Sequence, residues 1–476
     1  MHVKRRHLCL SGPARVALLG AVVGSFAMAP GLAFAQSRTL QDALAAAYSN
    51  NPSLQAARAQ LRATDENVPT ALSGWRPQIV VSGTVGSAFG DQITGPTGRE
   101  VVTPQGRAVV TGLATVTQPI YRGGRTTAGT NRAENQVMTQ RARLVASEVQ
   151  LFSDSVQAFV NVISTTQIEA LNANNEQVLQ RQLQATNDRF RVGEITRTDV
   201  AQAEAALAGA TATRQTAEGN LQTARSTYQR LIGELPDKLT EPQPLKLPTR
   251  TLEEAKALAF GNNPTVIAAL FQNSADKDNF DLQYSALLPS VSLQGTGTYS
   301  QNSTQKNITS QGGQVVASLS VPIYQGGAEY AAIRAARQTE QQSRRLVDDA
   351  RRTAVAQVIG AWETYQAAKS TIDSTRTQIR SNQIALEGTQ REAIVGSRTT
   401  LDVLNAEQTL LNSRTTLVQN LASLVNASYQ VTAAVGRLTA RDLNLQVPLY
   451  DETAYYQAVR NRWVGTGDFA TGQPGR

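Results

Sequence analysis

The sequence has almost none of the residues on which most catalytic and metal sites depend. Its 476 residues include one cysteine and two histidines. All three (His2, His7 and Cys9) lie close to the amino terminus. A chain that loses this terminus has no thiol or imidazole left for a disulfide, a metal site or a nucleophilic triad. We therefore expect no metal and no cofactor. Because no phosphate-binding loop or acid–base pair is evident either, an enzyme is not indicated.

Charged and aromatic residues are also scarce. Charged residues make up 17% of the chain and aromatic residues 5%, whereas a typical globular chain has roughly 25% charged residues. The net charge is +8, but Lys4, Arg5, Arg6 and Arg15 all precede the first acidic residue, Asp42, and their removal would leave +4. The other arginines are spread along predicted helices beside glutamates. This distribution argues against a nucleic-acid partner.

The amino terminus has the features of a secretion signal. The basic residues are followed by an apolar stretch at 16–28 and then by Ala33-Phe34-Ala35, a small-x-small cleavage pattern. The apolar stretch is shorter than the roughly 20 residues of a spanning helix, although a retained membrane anchor is the alternative. We expect cleavage before Gln36, which places the mature chain in the periplasm, in the outer membrane or outside the cell.

The two halves of the chain repeat each other. The Asn-Asn-Pro motif at 50–52 recurs 212 positions later, and the Pro-Ile-Tyr motif at 119–121 recurs 203 positions later. The second register holds without a gap as far as Gly233 and Gly436. The change of offset predicts a longer loop in the first half, at the Gly-rich and Thr-rich stretch 90–106. Two glycines follow each Pro-Ile-Tyr motif and are predicted to turn a strand into a helix: Gly123 and Gly124, Gly326 and Gly327.

The repeat divides the chain into five segments. We predict a signal peptide at 1–35, a first repeat at 36–236, a Pro-rich linker at 237–248, a second repeat at 249–445 and a C-terminal tail at 446–476. Each repeat is expected to contain a helix, a β-hairpin and a very long helix with one break. The tail carries several tyrosines and a tryptophan expected to pack outside the helices, and its last residues, 466–476, are expected to be disordered.

Each predicted hairpin alternates apolar and polar residues. In the second repeat Val291, Leu293 and Tyr299 alternate with serine, glutamine and threonine, and the same period continues at 315–323. Strands of about 10 residues with one apolar face are typical of membrane barrels, although a soluble antiparallel sheet has the same alternation. Single-chain barrels start at about eight strands. Four strands can therefore form a barrel only together with other subunits.

The predicted helices are too long for a compact domain. No proline interrupts 126–192 or 328–396, and a helix of that length extends about 100 Å at 1.5 Å per residue. Apolar residues recur at heptad-like spacing, as at Val149, Val156 and Ile163, which predicts coiled-coil packing. A filament-forming or spectrin-like bundle would show the same pattern.

Both long helices are predicted to break at related turns. Gly193 and Gly396 follow the helices and permit a left-handed C-terminal cap. Two Thr-x-x-Asp pairs then have the spacing of a capping box for the next helix: Thr196 with Asp199, and Thr399 with Asp402. The chain should therefore reverse direction at the tip of an antiparallel helix pair.

The Pro-Ile-Tyr-x-Gly-Gly segments and the Val-Gly-x-x-x-Thr-x-Asp-Val tips resemble the TolC family of trimeric outer-membrane channels. The resemblance extends from the Asn-Asn-Pro helix to about Leu445. It implies a mainly α-helical homotrimer with a 12-stranded membrane β-barrel, in contact with outer-membrane lipid and continued by a coiled-coil tunnel in the periplasm of a Gram-negative cell. A periplasmic adaptor and an inner-membrane pump or ABC exporter would recruit the channel for drug efflux or type I protein secretion.

The same resemblance assigns roles to residues at the tips. Asp402 matches an aspartate ring that constricts the tunnel, and a second ring falls at Asn405, which carries no charge. Arg398 and Asp199 match a resting-state link between neighbouring protomers, and Gln182 matches a further polar link. The family's usual tip tyrosine is replaced by Ala393. We therefore expect the gate to depend mainly on Asp199 and Arg398. The alternative to a channel is an exported coiled-coil structural or adaptor protein.

Overall fold

The computed structural model describes residues 38–469. The predicted signal peptide and most of the predicted disordered end lie outside the described residues. The chain is mainly helical with one sheet. Its helices and strands are α1 (Leu40–Asn50), α2 (Pro52–Asp65), α3 (Asn67–Leu72), β1 (Gln78–Thr94), β2 (Val101–Arg122), α4 (Arg125–Arg191), α5 (Arg197–Ile232), α6 (Leu252–Asn262), α7 (Pro264–Tyr284), β3 (Ser290–Gln301), β4 (Thr309–Ser320), α8 (Ala328–Ile394), α9 (Thr400–Ala434) and α10 (Ala454–Val459).

The repeated Asn-Asn-Pro motif joins two short helices in each half. Asn51 caps α2 by accepting from Ser53 N at 2.9 Å, and Pro52 occupies the first turn, where no N–H is needed. The same Asn51 side chain donates to the Leu231 carbonyl at 2.8 Å. In the second half Asn263 repeats the cap and donates to the carbonyl of Ala434 at 3.0 Å. The motif therefore fastens each short helix pair to the end of its returning helix.

The four strands form one antiparallel sheet in chain order, β1-β2-β3-β4. The β2–β3 pairing, which runs from Val110↔Gln301 to Arg122↔Ser290, joins the two repeats. Ile120 has no partner in this ladder, so a bulge lies between Pro119 and Tyr121. The strand order leaves β1 and β4 as the two edges of the sheet.

The first hairpin is longer than the sequence predicted. The expected loop at 90–106 is wrong: β1 and β2 stay paired to Thr94↔Val101, so only six residues, 95–100, form the turn. Strands of about 10 residues were also expected, whereas β1 has 17, β2 has 22, and β3 and β4 have 12 each. Glycine and polar side chains do not end these strands because the cross-strand ladder continues through them, with Gln105 donating to Gln92 at 2.5 Å.

The two faces of the sheet differ in polarity. Cross-strand neighbours place Val81 beside Ala114, Val85 beside Val110, and Val315 beside Gly295 on one apolar face. The opposite face presents mainly Thr, Ser and Gln, and the hydroxyls of Thr84 and Thr111 lie 2.6 Å apart there. The apolar side chains are strongly exposed in the single chain: Val81 is 77% exposed and Val85 82%. The apolar face therefore has no partner within residues 38–469.

The long helices pack side by side. α4 contacts α5, α7 and α9, and α8 contacts α6, α7 and α9. α4 and α8 have 67 residues each, which corresponds to about 100 Å. The largest cluster of buried apolar residues includes the middle of α4. There Phe152 and Phe159 are fully buried, and the Phe159 ring lies 6.3 Å from that of Tyr228. No helix within residues 38–469 combines the length and apolar character needed to cross a membrane.

The C-terminal tail binds to the first repeat. Tyr450 N donates to Tyr48 Oη at 3.1 Å, and Arg460 pairs with Glu134 on α4 at 2.9 Å. Asp65, at the end of α2, is completely buried in this region, and neither of its carboxylate oxygens has a hydrogen-bond partner among the described residues. The tail thus packs against α1, α2 and α4 and connects elements from both ends of the chain.

Candidate functional site

The first long helix ends in a left-handed turn. Gly193 has φ +80°, which a residue with a Cβ rarely adopts. Its N–H donates to Phe190 O at 2.9 Å, and Glu194 N donates to Arg189 O at 3.0 Å. The second of these bonds spans the last turn in the manner of a Schellman cap. The backbone can therefore leave α4 abruptly, and five residues, 192–196, separate α4 from α5.

Asp199 and Thr196 form the capping box at the start of α5. Thr196 donates to Asp199 Oδ2 from its N–H at 3.0 Å and from its hydroxyl at 2.7 Å, and Asp199 N donates back to Thr196 Oγ1 at 3.4 Å. The hydroxyl bond and then the backbone bond lower the pKa of Asp199. The capping prediction is confirmed, and the carboxylate remains ionised where α5 begins, an arrangement that the helix dipole favours.

The second tip repeats this geometry. Gly396 has φ +83°, and Ser397 N donates to Glu392 O at 3.0 Å. Thr399 caps α9 by accepting from Asp402 N at 3.3 Å, and it donates to Asp402 Oδ2 from its N–H at 3.0 Å and from its hydroxyl at 2.8 Å. The backbone bond from Thr399, followed by the hydroxyl bond, lowers the pKa of Asp402. Asp402 therefore has the predicted cap position and carries a negative charge at the tip.

Each tip also contains an arginine–glutamate pair. The arginine lies on the long helix at the first tip and in the turn at the second. At the first tip Arg189 lies on α4 and donates to Glu194 Oε1 in the turn, from Nε at 3.0 Å and from Nη2 at 2.6 Å. At the second tip the glutamate, Glu392, lies on α8, and Arg398 in the turn donates to its Oε2 from Nε at 2.9 Å. Glu392 was not among the predicted site residues, because sequence spacing alone does not identify a partner across a turn.

The predicted gate residues occupy separate positions in one chain. No hydrogen bond or ion pair joins Asp199 to Arg398 within the part of the chain that the structure describes. Gln182 lies about two turns before the end of α4 and is half-buried, and Asn405 lies exposed on the first turns of α9. Asp199 and Arg398 are thus both accessible at the tips, and a link between them would have to form between protomers.

A small apolar cluster holds the two tips at the same end of the molecule. Leu179 on α4, Ala210 on α5 and Leu404 on α9 are buried against one another, with Ala206 and Leu207 packed at the edge. Leu404 lies two residues after Asp402, so a buried side chain near the start of α9 fixes the position of the charged turn. The turns above this cluster are exposed, so they can change position without disrupting a core.

The predicted strand-to-helix glycines lie at the opposite end of the long helices. Their φ angles are +59° for Gly123, +81° for Gly124, +74° for Gly326 and +86° for Gly327. A Cβ on Gly123 would also lie 2.6 Å from Leu288 Cβ. These positive angles turn the chain from the sheet into α4 and α8, with Gly124 and Gly327 immediately before the first helical residues.

The chain is similar to outer-membrane export proteins over most of its length. A family model described as outer membrane efflux protein matches residues 43–234 and 257–437. The outer membrane efflux protein BepC of Brucella suis is 36% identical over 435 residues, which cover 90% of this chain and 92% of that protein. The outer membrane protein TolC of Vibrio cholerae is 26% identical over 417 residues, covering 83% and 90%.

The fold is that of solved channels. The crystal structure of the Campylobacter jejuni CmeC outer membrane channel matches with a TM-score of 0.74 and 17% identity, covering 83% of this chain and 85% of that one. At this identity the likeness concerns the fold, whereas the family model and BepC also establish the relationship in sequence. The chain therefore belongs to the outer membrane efflux protein family, the TolC-like channels of the Gram-negative outer membrane.

Proposed function

We propose that three copies of this chain form a gated export duct through the outer membrane. The observation that carries the proposal is the sheet, which has one apolar face, one polar face and two edges that are unpaired in the described part of the chain. Unpaired edges need partners in a membrane, where backbone groups have no water to bond to. Joining β1 of one copy to β4 of the next satisfies both edges and closes the sheet.

The number of strands sets the minimum size of the assembly. Each chain supplies four strands, and single-chain membrane barrels begin at about eight. The trimer implied by the TolC resemblance gives 12 strands. In such a barrel the Val-rich and Ala-rich face meets outer-membrane lipid. The Thr, Ser and Gln side chains of the other face line a water-filled lumen, as in porin-type barrels.

The helices would continue the barrel as a tunnel in the periplasm. α4, α5, α8 and α9 of each copy form its wall, and the two tips lie at its inner end. There the Asp402 carboxylates of three copies form a charged ring, while Asn405 forms an uncharged one. Arg398 of one copy and Asp199 of its neighbour hold the tips together, with Gln182 as a further polar contact. Ala393 offers no side-chain hydrogen bond, so the ion pair is the principal closing link.

Opening would be driven by partners outside the chain. A partly exposed ion pair contributes little stability in water, so docking of a periplasmic adaptor with an inner-membrane pump or ABC exporter is sufficient to displace it. Small drugs or secreted proteins would then pass without covalent change. BepC is named as an efflux protein, which favours small-molecule efflux as the first cargo to test.

Conductance in a planar bilayer tests the duct and its gate together. The purified parent should migrate as a heat-modifiable trimer and give small, infrequent openings. Combining Arg398→Ser with Asp199→Ala should raise the conductance clearly, because the closing link loses both partners. A soluble, non-conducting species would instead support the coiled-coil structural alternative. Equal conductance in parent and double variant would exclude a gate held by this pair.

A further inference from the structure

The Arg398 side chain is already held within its own chain. Its Nε donates to Glu392 Oε2 at 2.9 Å, and the two side chains are 55% and 52% exposed. This pair connects the turn to the last residues of α8. Glu392 is also the main cause, ahead of Asp402, of the raised pKa of Arg398. The guanidinium therefore has a fixed neighbour before any second protomer is present.

The bond to Glu392 uses only part of the guanidinium. Arginine has five N–H donors in a planar fork. A bond from Nε occupies one edge of the fork and leaves both Nη groups able to donate to another carboxylate. At the first tip, by contrast, Arg189 gives both Nε and Nη2 to Glu194. The Arg398 pair thus keeps both Nη groups for a further partner, whereas the Arg189 pair uses one of its two.

Asp199 has a carboxylate oxygen that its helix cap does not use. Both bonds from Thr196 end on Asp199 Oδ2, at 3.0 and 2.7 Å. Its other oxygen, Oδ1, is not used by the cap, and a carboxylate oxygen has two lone pairs. The capping role of Asp199 therefore does not prevent it from accepting an Nη–H of an arginine on a neighbouring copy.

We propose that Glu392 is a positioning residue of the gate, which orients Arg398 so that its Nη groups reach Asp199 of the adjacent protomer. The proposal rests on the gated trimer proposed above and adds a residue to it. A long side chain loses rotamer freedom when it forms an ion pair. Because Glu392 restrains Arg398 in advance, part of that loss has occurred before the protomers meet.

The other possible role of Glu392 has the opposite sign. If Glu392 competed with Asp199 for Arg398, it would stabilise the open state by giving the released arginine a partner. Removing its charge would then close the gate more firmly. The single Nε contact favours positioning over competition, because it leaves the donors needed for Asp199 free rather than occupying them.

Single-channel recording of the full-length trimer separates these roles. Glu392→Gln keeps the size of the side chain and removes its charge. We expect the open probability at rest to rise about two- to fivefold, the range of a partly exposed ion pair. Asp373→Asn is the control, since it removes an exposed carboxylate that pairs with Arg376 within α8, away from the tip, and it should leave the open probability at the parent value.

The role of Glu392 is tested further by combining substitutions. In a chain that carries Asp199→Ala, Glu392→Gln should have no additional effect, because the contact it prepares is absent. A general loosening of the turn would still raise the open probability in that background and would overturn the positioning role. A lower open probability in Glu392→Gln alone would establish competition instead.

The experiments distinguish a wrong role for Glu392 from a wrong gate. If Arg398→Ser with Asp199→Ala conducts more than the parent while Glu392→Gln does not, only the role of Glu392 is wrong. If the Arg398→Ser, Asp199→Ala variant also conducts like the parent, the gate itself is absent and both proposals are wrong.

Discussion

The side chain of Asn51 donates to the carbonyl of Leu231 at 2.8 Å while its own carbonyl oxygen caps α2. One buried amide thus connects the start of the first repeat to the end of α5. Asn263 makes the equivalent bond to Ala434 in the second repeat. The contact explains why this asparagine stands at the same place in both halves: its amide oxygen accepts from the first turn of the helix while its amide nitrogen donates to a distant carbonyl.

Asn51→Ala should therefore destabilise the chain by about 2–3 kcal/mol, the sum of a lost cap and a buried carbonyl left without a donor. Thermal unfolding of the purified protein in detergent, followed by circular dichroism, measures the loss. Asn50 is exposed beside it, so Asn50→Ala is the matched control and should shift the midpoint little. Equal shifts for the two variants would contradict the structural role of the Asn51 amide.

Asp402 is predicted to set the ion selectivity of the channel. A ring of three carboxylates attracts cations, so Asp402→Asn should weaken cation selectivity, measured as the reversal potential in a salt gradient. Asn405→Asp should strengthen it, because three further carboxylates would form a second ring in the proposed trimer. Its bonds to Thr399 lower the pKa of Asp402, so the carboxylates should be ionised and the parent cation-selective at neutral pH. Selectivity unaffected by either substitution would contradict the ring.

Local motifs made the tips and caps predictable from sequence. Thr196 with Asp199 and Thr399 with Asp402 are three residues apart, so their contacts depend on little beyond the start of a helix. The glycine after each long helix is recognisable for the same reason. The pair of Arg398 with Glu392 was missed because it crosses a turn whose side-chain directions are fixed only in three dimensions.

Long-range contacts explain the other differences. Residues 90–94 and 101–106 have a loop-like composition, yet they form strands because each pairs with a residue of the opposite strand. Burial of Asp65 depends on packing with distant parts of the chain, Arg141 on α4 and Glu452 in the tail among its charged neighbours. Nothing in the sequence around a charged helix residue indicates that another segment will pack there.

Asp65 should make the stability of the chain depend on pH. Burial raises its pKa to about 7, with Glu66 and Glu452 acting in the same direction and Arg141 and Arg62 opposing. The folded chain therefore holds a proton that the unfolded chain releases between about pH 4 and 7, and the free energy of unfolding should fall as pH rises through that range. The full effect is about 4 kcal/mol at most, at 1.36 kcal/mol per unit.

Asp65→Asn removes the titrating group while keeping its shape. The variant should lose the part of the pH slope that Asp65 contributes, so its stability relative to the parent should be greater at pH 8 than at pH 5. Thermal unfolding of both proteins in detergent at the two pH values provides the comparison. Parallel changes in the two proteins would mean that Asp65 titrates alike in the folded and unfolded chains.

Gly123 and Gly326 occupy equivalent positions in the two repeats but differ in their surroundings. Both have positive φ, so alanine at either position is strained by about 1 kcal/mol. At Gly123 a new Cβ would lie 2.6 Å from Leu288 Cβ and 2.9 Å from the carbonyl oxygen of Ser285, whereas at Gly326 nothing lies within 4 Å. Gly123→Ala must therefore displace the segment that leads into β3, and Gly326→Ala need not.

We expect Gly123→Ala to lower the yield of heat-modifiable trimer in outer-membrane fractions. It should also reduce the free energy of unfolding by about 1–3 kcal/mol more than Gly326→Ala does, the usual range for overpacking. The segment that moves precedes β3, which pairs with β2 across the two repeats. Misplacing it strains the central ladder of the sheet, so barrel assembly should suffer before the helices unfold. Equal yields for the two variants would contradict this prediction. They would show that the positive φ, which both glycines share, matters more than the contact with Leu288, which only Gly123 has.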